Sequence, residues 1–332
     1  SIAGLVLVTV NPSFQEDELK YVLEKSQSEE LYVAKSFRGN PMWDIAKKVT
    51  EKMPSVKKMT DIQDWDELFG LNNGETESLT NSLPEVFPKD PVQIQFTSGT
   101  TGNAKGVMLT YQAIDGIKVV LDDPNNPLGI EHDGNNDFIS YLPLNHIFER
   151  VVIEWCSFRY GGTISFVESI ETFGQNLKDV QPHVFAAAPR VWTKLQMGIL
   201  SKFPQKRLDT LLKIPLLSSV LKKLIRKGLG FNKVRVTVSG SAPMPVELIE
   251  WFRKVGVYIT NGYGMTENCA ICSSVDGRDF EKLNTVGKAQ KGVELKIDEG
   301  TGEILMRGPF VMIGYYKNEV LSNDTLRGGW LH

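Results

Sequence analysis

Six consecutive residues drawn only from Thr, Ser and Gly, Thr97-Ser98-Gly99-Thr100-Thr101-Gly102, are followed, after Asn103 and Ala104, by Lys105 and Gly106. Small residues let backbone N–H groups converge on an oxyanion, hydroxyls add donors, and the lysine supplies a cation. A phosphate chain is the ligand such a loop suits. Val92 to Phe96, just before it, reads as the strand that delivers it. Set against GxxxxGK[ST] from Gly99, the second glycine falls on Ala104 and the Ser/Thr on Gly106. This departure argues against a Walker-type kinase or ATPase loop. A polar hairpin turn is the plainer alternative, though turns seldom need four hydroxyls in six residues.

A second cluster runs Gly240-Ser241-Ala242-Pro243 and then Asn261-Gly262-Tyr263-Gly264-Met265-Thr266-Glu267. Each half follows an apolar run read as a strand, and ligands of open α/β sheets sit beyond the carboxyl ends of strands. Small residues admit a planar ring to the backbone and Tyr263 offers a stacking face. Thr266 and Glu267 bring a hydroxyl and a carboxylate, oxygens suited to Mg²⁺ bridging phosphates. Taken alone, the segment also suits a tight strand–helix junction.

These groups need a frame. Strand-like runs at 92–96, 138–142, 163–167, 183–187, 234–238 and 257–260 alternate with helical patterns near 111–121, 146–158, 171–179, 189–200 and 245–255. That rhythm predicts an α/β fold, a mostly parallel sheet covered by helices. Upstream, Ile2 to Val10 reads as a buried strand and Leu31 to Ala34 as another. Between them Ser13 and Glu16 have capping-box spacing ahead of a helix with Leu19, Val22 and Leu23 on one face. From about Thr285 short strands separated by glycines predict a small antiparallel, barrel-like subdomain. The expected division is 1–280 and 281–332.

The loop at 97–106, the Gly-Tyr-Gly-Met-Thr-Glu at 262–267 and the run from Gly302 to Tyr316, in that order, resemble the adenylate-forming superfamily of acyl-CoA synthetases, luciferases and peptide-synthetase adenylation domains. Tyr141 to Arg150, Ala188 to Trp192 and Val238 to Met244 look most like the long-chain fatty acyl-CoA synthetases within it. The resemblance implies the large N-terminal domain of such an enzyme. It implies ATP, Mg²⁺ and coenzyme A as cofactors and co-substrates, and a long-chain fatty acid converted through an acyl-adenylate to the CoA thioester. Carried over residue by residue, it places Thr97 to Gly102 and Lys105 around the β- and γ-phosphates, and Tyr263 and Gly240 to Pro243 around adenine. Thr266 falls on the α-phosphate, Glu267 and Thr97 at Mg²⁺, and His146 beside the acyl carbonyl. A lone His is more often structural. A fatty acyl-AMP ligase feeding a carrier protein and a nucleotide-binding fragment without turnover are the competing readings. The Thr-Gly-Asp that follows Gly-Trp-Leu-His in that superfamily is absent, as are the hinge and the lid with its lysine. Both ends therefore read as interrupted.

The 332 residues carry 37 Lys and Arg against 40 Asp and Glu, a net charge of -3, so any anion must be met locally and nucleic acid is not an expected partner. Cys156, Cys269 and Cys272 cannot staple so long a chain and suit a reducing compartment such as the cytoplasm. The single CxxC at 269–272 lacks the partners of a zinc site and reads as ordinary thiols. No apolar run approaches a membrane span. Residues 202–235 hold ten Lys and Arg against Asp209 alone, and leucines recur near helical spacing around Pro215. A basic amphipathic face can lie on the anionic inner face of a membrane, whereas in the plainer reading the leucines pack on the body and the lysines stay solvated.

Overall fold

The structure, a computed structural model, describes residues 4–64, 83–97 and 104–332. In chain order it opens with β1 (Leu7–Thr9), α1 (Glu16–Ser26), β2 (Glu30–Val33), α2 (Met42–Thr50) and β3 (Lys58–Asp61). The helix expected from Ser13 starts at Glu16 instead. The Glu18 carboxylate accepts from the Gln15 N–H at 3.0 Å, while Ser13 N–H donates to the Asn11 side chain in a local turn. Then follow β4 (Pro91–Thr97), β5 (Lys105–Thr110), α3 (Tyr111–Gly116), α4 (Lys118–Leu121) and β6 (Asp137–Ser140). The helix expected over 146–158 is a π-helix at Glu149–Trp155 continued by α5 (Cys156–Tyr160). Next come β7 (Thr163–Phe166), α6 (Phe173–Val180), β8 (Val184–Ala187), α7 (Pro189–Lys202), α8 (Gln205–Leu212), α9 (Pro215–Gly228) and β9 (Val236–Ser239). After α10 (Val246–Lys254) and β10 (Ile259–Tyr263) come the short strands β11 (Ser273–Val275), β12 (Lys288–Ala289), β13 (Glu294–Ile297), β14 (Ile304–Arg307) and β15 (Gly314–Tyr315). The chain continues through α11 (Glu319–Thr325), β16 (Leu326–Arg327) and β17 (Trp330–Leu331).

Two compact units result. Unit 1 takes residues 1–114, 143–145 and 311–332, and unit 2 takes 115–142 and 146–310. In unit 1 the sheet runs β1-β4-β5-β15, with β1 parallel to β4 and the other pairs antiparallel. Thr97 pairs with Lys105 across β4 and β5, so the two strands are the stems of the Ser/Thr/Gly loop. Helix α1 covers them with Val22 against Ile94 and Phe96, and its Leu19 and Leu23 meet Ile45, Ala46 and Val49 of α2.

In unit 2 the sheet order is β12-β11-β10-β9-β8-β6-β7. From β7 to β10 all pairings are parallel, each made possible by a helical crossover. Strand β8 is buried along its whole length, as expected of a strand covered on both faces. The core beside it is aromatic. Phe185, Trp192, Phe231 and Phe252 are fully buried, and the Trp192 ring meets Phe185 and Phe252 edge-on at about 5 Å. The glycine-punctuated segment after Thr285 does form antiparallel hairpins, β13 with β14 and β16 with β17, and no closed barrel is seen among the described residues.

Phe185 is the centre of this cluster, so Phe185→Ala should destabilise unit 2 by about 3–5 kcal/mol, the range for removing a buried aromatic ring. Urea unfolding followed by tryptophan fluorescence measures it, and a loss below about 1 kcal/mol would place the core elsewhere.

Candidate functional site

Parallel strands that share a direction also share an edge where their carboxyl ends open into loops. Three of the segments singled out in the sequence leave unit 2 along that edge. The Tyr141–His146 loop follows β6, Gly240–Pro243 follows β9, and Tyr263 closes β10 ahead of Thr266 and Glu267. The register Ser239 with Asn261 sets Gly240 beside Gly262, where an added Cβ on Gly240 would stand 3.3 Å from the Gly262 carbonyl. Ser241, Ala242 and Pro243 are exposed, and Thr266 and Glu267 are half-buried, so these groups remain open to a ligand.

The backbone at these turns is unusual. Ser241 has φ 68°, and Cys269 and Ala270 have φ 53° and 62°, left-handed values that non-glycine residues seldom adopt. Such conformations persist where the surroundings fix them and cluster at ligand sites. Gly264 is required for a different reason, since a Cβ there would lie 2.2 Å from the Ala270 carbonyl. A 3₁₀ turn carries Thr266 and Glu267, and Asn268, fully buried, accepts from the Met265 N–H at 2.9 Å and so caps it. The Asn261 side-chain amide is committed to the Thr285 carbonyl at 3.2 Å. Burial pushes the Tyr263 hydroxyl above the usual phenol range.

Two residues hold the edge together. The Trp192 indole N–H donates to the carbonyls of Ala187 at 3.1 Å and Val238 at 3.3 Å, tying the ends of β8 and β9. Pro189 starts α7, where a missing N–H costs nothing, and sets Trp192 one turn on. Glu149, from the π-helix, accepts from the Ser140 hydroxyl at 2.5 Å and the Tyr141 N–H at 2.9 Å. Strand β6 therefore stops at Ser140 rather than running to 142. Burial raises the Glu149 carboxyl from the ordinary range to about 7, against the opposing pull of those hydrogen bonds. His146, four residues after Leu142, accepts from the Phe148 N–H through Nδ1 at 3.3 Å, which leaves the proton on Nε2. Burial lowers its pKa from the ordinary imidazole value, which favours the neutral ring.

In unit 1, Thr97 and Lys105 stand half-buried at the ends of their strands, and the Lys105 ammonium lies 5.5 Å from the centre of the Tyr315 ring. Ser98, Gly99, Thr100, Thr101 and Gly102 lie outside the described residues. Gln95 of β4 is buried and donates at 2.5 Å to the carbonyl of Asn145, the residue before His146, while accepting from Gln93. Neither glutamine, nor Glu149, nor Asn268 stood out in the sequence. Gln93 and Gln95 alternate with Val92, Ile94 and Phe96, so the strand period assigns them to the polar face and gives no sign of their burial. Cys269 and Cys272 are buried, and burial pushes their thiols up to about 12 and about 11. Among the described residues no group of three or more His, Cys, Asp or Glu side chains is arranged to hold a metal ion. The oxygens of Thr266 and Glu267 fit a hard cation shared with a ligand's own oxygens rather than an all-protein cage.

Because the Glu149 carboxyl is raised in the folded state, its contribution to stability is fully present below about 4.5 and is lost as pH rises through about 7. Glu149→Gln keeps an acceptor and removes the titration. The melting temperature of the wild type minus that of the variant should therefore fall between about pH 5 and about pH 8. A difference that stays flat would show that the carboxyl is not perturbed.

The chain matches the family model described as AMP-binding enzyme over residues 1–316. Long chain acyl-CoA synthetase 5 of Arabidopsis thaliana is 31% identical over 310 residues, 82% of this chain and 45% of that protein. The chain spans about half the length of the curated relatives it matches. The N-terminal domain of FACL13 from Mycobacterium tuberculosis superposes with a TM-score of 0.71 at 16% identity, covering 98% of this chain and 76% of that one. O-succinylbenzoate coenzyme A synthetase (MenE) from Bacillus subtilis, solved with ATP and magnesium ion, superposes at 0.66 with 23% identity, covering 98% and 60%. With the match spanning all but the last sixteen residues and the fold shared with adenylate-forming enzymes, the chain belongs to the AMP-binding enzyme family.

Proposed function

We propose that the protein carrying this chain activates a long-chain fatty acid with ATP to an acyl-adenylate and passes the acyl group to coenzyme A. The observation that supports it most is one sheet edge gathering the His146 loop, Gly240–Pro243 and Tyr263–Glu267 in a member of this family. Curated relatives named as long chain acyl-CoA synthetases favour that acid class. In this reading residues 1–280 hold the nucleotide and acyl elements, and 281–332 a small β-rich subdomain.

Adenylation joins two anions, a carboxylate and the α-phosphate, so neutralising charge and aligning the attack carry most of the catalysis. In this reading Lys105, Thr97 and the loop to Gly102 meet the β- and γ-phosphates, while Gly240 to Pro243 and Tyr263 enclose adenine. Thr266 donates to an α-phosphate oxygen, where charge builds during attack. Glu267 and Thr97 would hold Mg²⁺, which when bound offsets phosphate charge. His146, neutral and with its proton on Nε2, offers the acyl oxygen a donor. In the full-length protein, Thr266→Ala and Glu267→Gln should each lower pyrophosphate release by roughly two to three orders of magnitude. Unchanged release in both would remove the assignment. Comparing acids from acetate to oleate, with and without coenzyme A, separates the long-chain CoA ligase from a ligase that loads a carrier protein.

Membrane delivery of the acid belongs to the same proposal. No helix among the described residues is long and apolar enough to cross a membrane. Helix α9, however, splits its apolar residues between two faces. Leu221 and Ile225 pack on the aromatic core, whereas Leu216 is 84% exposed and Val220 and Leu224 are each 55% exposed. Exposed Lys213, Lys223 and Lys227 flank that outer stripe. Leucines over a basic surface suit the anionic, cytoplasmic face of a bilayer. Vesicles containing phosphatidylserine should retain the protein at low salt and release it as salt rises. Leu216→Ser with Leu224→Ser should weaken retention, and equal binding to neutral vesicles would leave the stripe without this role.

A further inference from the structure

We propose that a cavity at the amino edge of the unit 2 sheet binds the phosphoryl group of a small phosphomonoester. The cavity, about 480 Å³, is lined by the entries to β9 and β10 and by β11 and β12. Strands β9 and β10 are parallel, so it lies at the opposite end of both from Gly240 and Tyr263. It is therefore separate from the nucleotide segments and does not rest on the ligase reading. Its size falls in the lower half of the usual range for small-molecule sites.

Its charge is what selects the ligand class. Arg226, Arg235, Arg278 and Lys288 line it against a single carboxylate, Asp276. Asp276 is engaged by Arg278 at 3.3 Å, and the Arg278 guanidinium lies 5.1 Å from the centre of the Tyr258 ring. Arg226 has no carboxylate partner among the described residues. It is held instead by two carbonyls, those of Phe231 at 3.0 Å and Val234 at 3.4 Å, which fix its fork without neutralising it. Arg235 is fixed by Glu131 at 2.5 Å and the Asn136 side chain at 2.7 Å, yet its Nε is buried without a partner. Lys288 is exposed and makes no ion pair among the described residues. A surplus of cations, two of them guanidiniums locked in place, calls for an oxyanion of more than one charge. A phosphomonoester supplies about two charges and three acceptor oxygens.

Binding of inorganic phosphate to the whole chain, followed by ³¹P line broadening at constant ionic strength, tests the site. The loop at 97–106 is a second place for an anion, so the readout is the difference between the wild type and variants of the cavity. Arg226→Gln and Lys288→Gln should each weaken the saturable component by roughly tenfold, the scale of one charged hydrogen bond, while Lys105→Ala should preserve it. Lys288 is exposed, so its variant tests the site without disturbing the core. Binding unchanged in both cavity variants, or displaced equally well by acetate, would overturn the proposal. Displacement by glycerol 3-phosphate would assign the site to a soluble phosphomonoester. Displacement only by phosphatidylcholine vesicles carrying phosphatidate would assign the same chemistry to a lipid headgroup.

Discussion

The Trp192 indole N–H, shared between the carbonyls of Ala187 and Val238, lies where the aromatic core meets the edge that presents the candidate site. A carbonyl at the end of a buried strand has no ladder partner beyond it, and leaving it unpaired costs free energy comparable to a lost hydrogen bond. One donor from the first turn of α7 answers two such groups. Its ring is held in turn by Phe185, Phe231 and Phe252. The core therefore fixes the strand ends, the strand ends fix where Gly240 begins, and the loops beyond need little stabilisation of their own. That division lets Ser241 to Pro243 stay exposed and Ser241 hold a left-handed φ.

Glu149 plays the corresponding part at β6 with a different chemistry. A carboxylate accepting from Ser140 and Tyr141 terminates the strand, but burial makes its charge costly, so the group sits close to protonation near neutral pH. Trp192 gives a termination independent of pH, and Glu149 gives one that is not. Both precede segments on which the proposed chemistry depends.

Much of this was legible in the sequence because it is local. The β/α alternation, the Pro189 start of α7 and the Ser/Thr/Gly run that follows β4 are read from periodicity and from residue types within a few positions. What was not legible depends on partners distant in sequence. Gln95 means nothing until Asn145 lies beside it, fifty positions on. Asn268 reads as a turn residue until it is found fully buried, and Ser13 looks like a cap until Gln15 and Glu18 are seen to close the helix instead. Helix α9 shows a further limit. Its apolar residues cover more than one face, so a period of 3.6 cannot say which stripe meets the core, and the answer depends on where the aromatic cluster stands.

A net charge of -3 means that long-range attraction does not bring anions to this chain, and two local solutions appear in it. One is a sequence of hydroxyl and glycine residues with a single lysine, which in the proposed function meets the β- and γ-phosphates that depart as pyrophosphate. The other is a cavity of guanidiniums already held by carbonyls and by Glu131, in which the cations are oriented before any ligand arrives. In the proposed readings the first meets the nucleotide and the second a phosphomonoester. Their placement on different units and different strands allows each to be altered without the other.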